Sequence, residues 1–141
     1  MSYIDTNVLI AYINSDDALH NYAVELLSKI SEDKYVSDLT IVELYSVFSR
    51  TMDLSDIEIN ALVKYALRKT NVQKINVKWE KVLRQAKDYA NSFKLKSLDL
   101  LHLTVAIICN CSFFITFDKD VLKKSKIIEE KTGIKILGSI P

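Results

Sequence analysis

The chain has 141 residues, 49% hydrophobic and 26% charged, with a formal net charge of +1. This balance predicts one compact soluble domain over residues 1–141, burying roughly two-thirds of its unfolded surface without disulfides or a structural metal, and it excludes disorder. No window offers the roughly 18 apolar residues of a membrane span, Asp5 interrupts any N-terminal leader, and two glycines cannot build a phosphate-cradling loop, so membrane, secretory, P-loop and dinucleotide-binding roles are excluded and a cytoplasmic location is expected.

Ser2 to Ile4 reads as a short strand, followed by a helix containing Val8, Leu9, Tyr12 and Ile13, with Thr6 and Asn7 as its expected caps. Leu19, Tyr22, Ala23, Leu26, Leu27 and Ile30 share one helical face, and Tyr35 and Val36 form a second strand. Ser37 or Asp38 caps the next helix, Leu39 to about Thr51, and Ser55 with Glu58 makes a capping box for another carrying Leu62, Val63, Ala66 and Leu67. Val72 to Val77 alternates like an edge strand. The helix from Trp79 is expected to turn Val82, Leu83, Ala86, Tyr89, Ala90 and Phe93 inward.

Ser97 is placed to cap a very apolar helix, Leu98 to about Cys109, which Asn110 ends in the left-handed conformation. A strand at Phe113 to Thr116, a short helix near Val121 to Lys124 and a last strand at Ile134 to Leu137 complete the chain. Strands joined by helices run parallel. The expected fold class is therefore α/β, a three-layer α/β/α sandwich with a central parallel sheet of four or five strands and ligands beyond the strands' carboxyl ends.

Charge is unevenly spread: residues 1–63 carry 3 basic and 11 acidic side chains, residues 64–141 carry 16 basic and 7 acidic. The basic half, including Lys78, Lys81, Arg84, Lys87, Lys94, Lys96, Lys119, Lys123, Lys124 and Lys126, suits a polyanion, although a solvated helix face would look the same. Lys94, Lys96, Lys119 and Lys123 are the candidate contacts to a nucleic acid.

Four acids stand out because their neighbours are apolar: Asp5, Glu43, Asp99 and Asp118. A lone buried carboxylate costs several kcal/mol, and Lys and Arg are nearly absent from these segments, which leaves helix capping or a divalent cation as compensation. Asp5 and Asp118 follow strands, and Glu43 and Asp99 lie early in helices that begin at the same sheet edge, so all four are able to converge. An all-oxygen set suits Mg²⁺ or Mn²⁺ and metal-assisted hydrolysis of a phosphodiester. Capping alone would account for Asp5 or Asp99 singly, a strand-to-helix turn with Asp120 as the cap for Asp118, and an exposed helix face for Glu43; a common cause explains the set better.

Thr6, Asn7 and Thr116 are placed to orient these carboxylates or the attacking water. His102, three residues after Asp99, reads as a packed core histidine outside the site. Cys109 and Cys111 read as reduced thiols, and Trp79 and Tyr89 as core or rim residues rather than base-stacking platforms.

The motifs Ile4-Asp5-Thr6-Asn7-Val8-Leu9-Ile10, Glu43 in a helix, Leu98-Asp99-Leu100-Leu101-His102-Leu103 and Ile115-Thr116-Phe117-Asp118-Lys119-Asp120, in that order over essentially the whole chain, resemble a PIN domain. Asn110-Cys111 departs from the family's usual glycine before the fourth strand, and Val121 stands where an aromatic is common. The resemblance implies a metal-dependent ribonuclease in which Asp5, Glu43, Asp99 and Asp118 bind Mg²⁺ or Mn²⁺, the fourth acid being the family's most variable. The length is similar to that of VapC-type toxins, which implies an RNA substrate, a possible antitoxin partner and a homodimer. The alternatives are a non-catalytic RNA- or partner-binding domain, and a phosphatase using Asp5 as nucleophile; the latter wants an aspartate where Asn7 stands.

Overall fold

The computed structural model describes residues 1–138. Its central layer is a single parallel sheet of five strands, β1 (Ser2–Ile4), β2 (Lys34–Val36), β3 (Val72–Lys74), β4 (Phe113–Ile115) and β5 (Lys135–Leu137), in the order β3-β2-β1-β4-β5. Alternation along the strands sends Ile4, Val36 and Ile115 to one face, where α1 (Thr6–Ile13), α2 (His20–Ser28), α3 (Asp38–Thr51) and α4 (Asp56–Thr70) cover them. Tyr3 and Phe114 point the other way, into a core completed by α5 (Trp79–Phe93), α6 (Ser97–Ile108), α7 (Lys119–Lys123) and α8 (Ser125–Thr132). This is the expected three-layer α/β/α arrangement, with both sheet faces covered as a parallel sheet requires.

The chain builds β1, β2 and β3 outward in one direction, then returns to lay β4 on the other side of β1. The strand order thus reverses between β1 and β4, and the crevice beyond their carboxyl ends is the place such a sheet offers to a ligand. Asp5 N donates to Ile115 O at 2.9 Å, tying the two strand ends together just below that crevice.

Local signals explain most boundaries. The Ser55–Glu58 capping box is present, with Ser55 N donating to Glu58 at 3.0 Å and Glu58 N to Ser55 at 3.2 Å. Asn110 takes φ +55°, as expected for a helix stop. Several expectations are corrected. α1 is capped by Asp5, whose carboxylate accepts from Thr6 N, and not by Thr6 or Asn7. α6 starts at Ser97 itself, with Lys96 in the cap position and no side-chain cap.

On α5 the buried stripe is narrower than the pattern predicts: Val82, Ala86 and Phe93 are buried, whereas Leu83 is 56% exposed and Ala90 faces solvent. β3 ends at Lys74, three residues early. α8 is not foreseen, because its charged residues hide a helix pinned by the buried Ile128. Cys109 and Cys111 are free thiols, and burial pushes the Cys111 thiol up to about 11. Among the described residues no helix is long and apolar enough to cross a membrane.

Candidate functional site

Asp5 occupies the first position beyond β1 and is 4% exposed. Its Oδ1 accepts from Thr6 N at 2.8 Å, and its Oδ2 accepts from Thr116 Oγ1 at 2.8 Å and, more loosely, from Asn7 Nδ2 at 3.5 Å. Burial nonetheless raises its pKa, with the Glu43 charge adding to the effect and His102, Thr116 and Thr6 opposing it. Asn7 Nδ2 also lies 3.4 Å from Thr116 Oγ1, and Asn7 Oδ1 accepts from Phe117 N at 3.2 Å. Thr6, Asn7 and Thr116 therefore form the frame that fixes the Asp5 carboxylate.

Glu43 lies in the second turn of α3, where its own helix has no spare amide to offer. Its Oε1 accepts from Thr6 Oγ1 at 3.0 Å, so Thr6 bridges Asp5 and Glu43 through its backbone and its hydroxyl. The same oxygen is in direct contact with His102 Nε2. Burial works to raise the Glu43 pKa, but the His102 hydrogen bond and charge together with Thr6 outweigh it and hold the carboxyl below its ordinary value.

The reciprocal effect appears on His102. Burial disfavours its cation, yet the Glu43 hydrogen bond and the charges of Asp5, Glu43 and Asp99 raise its pKa above the usual histidine range. The expectation that His102 stands apart from the site is thus corrected: it is buried and packed, but its partner is one of the four acids. The compensation expected from capping or a cation alone is, for Glu43, partly an imidazole.

Asp99 lies in the first turn of α6, half-buried, and accepts no hydrogen bond from the described residues. Burial, then the charges of Asp118 and Asp5, with a further contribution from Glu43, push its carboxyl up to about 6 against the opposing pull of His102. Asp118 caps α7, its Oδ1 accepting from Asp120 N at 2.9 Å and Val121 N at 3.1 Å. Asp118 N in turn donates to Thr116 Oγ1 at 3.0 Å, so Thr116 links the Asp118 turn to Asp5. The capping role weighed for Asp5 is real and that for Asp99 is not seen; Asp118 itself, rather than the expected Asp120, caps α7, which leaves Asp118 Oδ2 without a partner among the described residues.

The four acids come from four separate elements and act on one another electrostatically, yet no Lys or Arg neutralises them: among the described residues the ion pairs are Met1–Glu32, Lys29–Glu25, Lys74–Asp38 and His102–Glu43. Nor, among the described residues, are three His, Cys, Asp or Glu side chains drawn together tightly enough to cage an ion unaided. Mg²⁺ keeps several waters and needs only one or two carboxylates from a protein. Among the described residues Asp99, Asp118 and Glu43 each keep an oxygen without a hydrogen-bond partner, and carboxylate oxygens are the hard donors that Mg²⁺ or Mn²⁺ prefers, but they are not grouped there as a metal cage.

Lys94, Lys96, Lys119 and Lys123 are all exposed; Lys96 directly precedes α6 and Lys119 directly follows Asp118, whereas Lys94 is turned toward Asn91 Oδ1 at 3.1 Å. Beside Glu43 opens an apolar cleft of about 360 Å³ lined by Leu39, Val42, Trp79 and Leu98, with Asp38 and Ser46 on its margin. Trp79 is a half-buried rim residue there, and Tyr89 stacks on Phe93.

A model of the PIN domain family matches residues 2–127. Among solved structures, VapBC2 from Rickettsia felis bound to a DNA fragment from the promoter superposes with a TM-score of 0.66 at 19% identity, covering 99% of this chain and 98% of that one. VapC20 from Mycobacterium tuberculosis, a sarcin–ricin loop cleaving toxin, gives 0.65 at 17% identity over 87% and 94%. FitAcB from Neisseria gonorrhoeae gives 0.61 at 18% identity over 98% and 97%. These identities speak for a shared fold. No curated protein matches the sequence significantly. The family match runs from β1 into the first residues of α8 and takes in four of the five strands, and the chain belongs to the PIN domain family.

Proposed function

We propose that this PIN domain is a divalent-metal-dependent endoribonuclease, that Asp5, Glu43, Asp99 and Asp118 hold Mg²⁺ or Mn²⁺ at its active centre, and that it is the toxin of a toxin–antitoxin pair. The observation that supports the reading is that Asp5, Glu43, Asp99 and Asp118 act on one another through their charges near the β1/β4 switch point, and none of them pairs with a Lys or Arg among the described residues. Like charges brought close destabilise a fold, and a bound cation relieves that cost.

Bound there, Mg²⁺ or Mn²⁺ would lower the pKa of an attacking water and neutralise charge developing on the phosphate. The residues divide the remaining work. Thr6, Thr116 and Asn7 hold Asp5 rigid from both oxygens, and α7 holds Asp118 by its Oδ1, each leaving little reorganisation for the moment of reaction. Asp99, unbonded among the described residues and pushed up to about 6, is an acid whose ionisation a nearby cation would promote near neutral pH. Lys96 and Lys119 flank the centre and are positioned along the chain to meet the RNA backbone, with Lys94 and Lys123 further out.

The structural neighbours support the biological setting, since they include a VapBC structure and a sarcin–ricin loop cleaving toxin. On this reading the chain acts as a single domain in the cytoplasm, an antitoxin occludes the carboxylate centre, and a homodimer forms over the face where Val42 (67% exposed) and Leu98 (48%) open beside the apolar cleft. Asp5 is poorly suited to act as a covalent phosphatase nucleophile, because it is buried and both of its oxygens are engaged.

The end groups of the RNA products test the reaction type. Water activated at a metal centre leaves a 5′-phosphate and a 3′-hydroxyl, and this is the expected outcome; a 2′,3′-cyclic phosphate would show attack by the RNA's own 2′-hydroxyl and overturn the proposal.

A further inference from the structure

A glutamate carboxylate ends a flexible side chain, and fixing it in one orientation requires donors from outside its own helix. Glu43 has two, Thr6 Oγ1 on α1 at 3.0 Å and His102 Nε2 on α6, and both engage the same oxygen, Oε1. The imidazole is held in turn. Its Nδ1 lies 2.7 Å from Tyr3 Oη, which lies 2.7 Å from Ser37 Oγ, and that hydroxyl accepts from Leu39 N at 3.3 Å. The Tyr3 ring is stacked on Phe114 with centroids 5.6 Å apart and planes at 4°. His102, Tyr3 and Ser37 are 1%, 0% and 0% exposed.

Donor and acceptor inventory orders this chain. An ionised carboxylate only accepts, so Nε2 carries the hydrogen; in the neutral ring Nδ1 is then an acceptor, Tyr3 donates to it, and Ser37 donates to Tyr3. In the imidazolium Nε2 still donates to Glu43, so the hold on the carboxylate is the same in either state of the ring. A sequence of buried polar groups of this kind is costly unless every member is satisfied, and apolar side chains would fill the same core more simply. What the apolar alternative could not do is reach Glu43.

We propose that His102 is a positioning residue of the carboxylate centre: it fixes Glu43 by Oε1 so that Oε2 is the one oxygen left for the centre, while Tyr3 and Ser37 fix the ring's orientation and tautomer. The proposal rests on the metal-dependent nuclease reading. Hydrogen-bond partners that orient metal-holding groups typically contribute about 10- to 100-fold in metal affinity or activity, and the effect belongs in kcat and in metal binding rather than in KM for RNA.

Mn²⁺ binding measured by titration calorimetry on the purified full chain tests this, with thermal melts run alongside and kcat and KM measured on the same preparations. His102→Leu fills the space without a donor and is expected to weaken Mn²⁺ binding by about tenfold or more and to lower kcat, with KM changed less than about twofold. His102→Gln restores an N–H donor and is expected to recover most of the affinity. Tyr3→Phe keeps the ring stacked on Phe114 and removes only the hydroxyl; it is expected to fold and to lose Mn²⁺ affinity by about threefold or more, which serves if His102→Leu does not fold. Wild-type affinity in a folded His102→Leu or Tyr3→Phe overturns the proposal, as does equal loss in His102→Leu and His102→Gln. Absence of Mn²⁺ and Mg²⁺ binding by the wild type is a different result: it overturns the nuclease reading, and the role of His102 falls with it.

Discussion

Gly138 lies directly against Thr116: at its φ of +136° a Cβ would stand 1.8 Å from the Thr116 carbonyl oxygen. Thr116 N donates to Leu137 O at 2.9 Å, and Thr116 Oγ1 donates to Asp5 at 2.8 Å, so the end of β5 props the residue that holds the buried acid. A side chain at 138 has nowhere to go unless the Thr116 backbone shifts.

Gly138→Ala is therefore expected to lower both the melting temperature and RNA cleavage, the latter by about tenfold or more through misplacement of Thr116 and Asp5. Gly133→Ala is the comparison, because Gly133 has φ +78° with nothing within 4 Å of the added carbon. That variant carries only the left-handed strain, about 1–2 kcal/mol, and is expected to keep activity near wild type while it remains folded. Equal loss of activity in the two variants would show that the contact with Thr116 does not matter.

Stability of the metal-free protein should depend on pH in a direction set by Asp99. Burial and its acidic neighbours push its carboxyl up from 3.8 to about 6, so the folded state binds the proton more tightly than the unfolded state. Stability from this group is present where it is protonated, declines as pH rises from about 4 through 6, and is fully lost above that range; the raised pKa of His102 acts in the same direction. In EDTA, Asp99→Asn is expected to melt several degrees above wild type at pH 7.5 and to lose about half of that advantage at pH 5. Adding Mn²⁺ should raise the wild-type melting temperature and leave the variant's nearly unchanged. A variant melting below wild type at pH 7.5 without metal would contradict the electrostatic account.

The exposed lysines around the centre predict salt-dependent RNA binding. Measured by fluorescence anisotropy on Asp99→Asn, which on the proposed function binds without cutting, affinity should fall steeply with salt, and removing Lys96 and Lys119 together should reduce the log–log slope by about one per lysine. A slope indifferent to both substitutions would place the RNA elsewhere on the molecule.

The fold and the acids were legible for the same reason: each is encoded by near neighbours. Strands between helices dictate a parallel sheet, and Asp5, Glu43, Asp99 and Asp118 each break an apolar run. Thr6 and Thr116 were readable as neighbours of those acids in the chain. His102 was not, because a single histidine on an apolar helix carries no local sign of a partner, and its partners Glu43 and Tyr3 are 59 and 99 residues away. The contact of Gly138 with Thr116 escaped for the same cause: a glycine shows its φ only when the backbone it approaches is in place. Leu83 and Ala90 were misjudged because a stripe spaced by three and four residues does not by itself reveal how wide a face the neighbouring helix covers.

The most direct test of the carboxylate centre is cleavage of a mixed structured RNA by the purified protein in Mg²⁺, Mn²⁺ or EDTA, beside Asp99→Asn prepared identically. Cutting that requires Mn²⁺ or Mg²⁺, stops in EDTA, and is lost in a folded Asp99→Asn is the result the account predicts. Cutting that persists in EDTA, or in the variant at the wild-type rate, would contradict it.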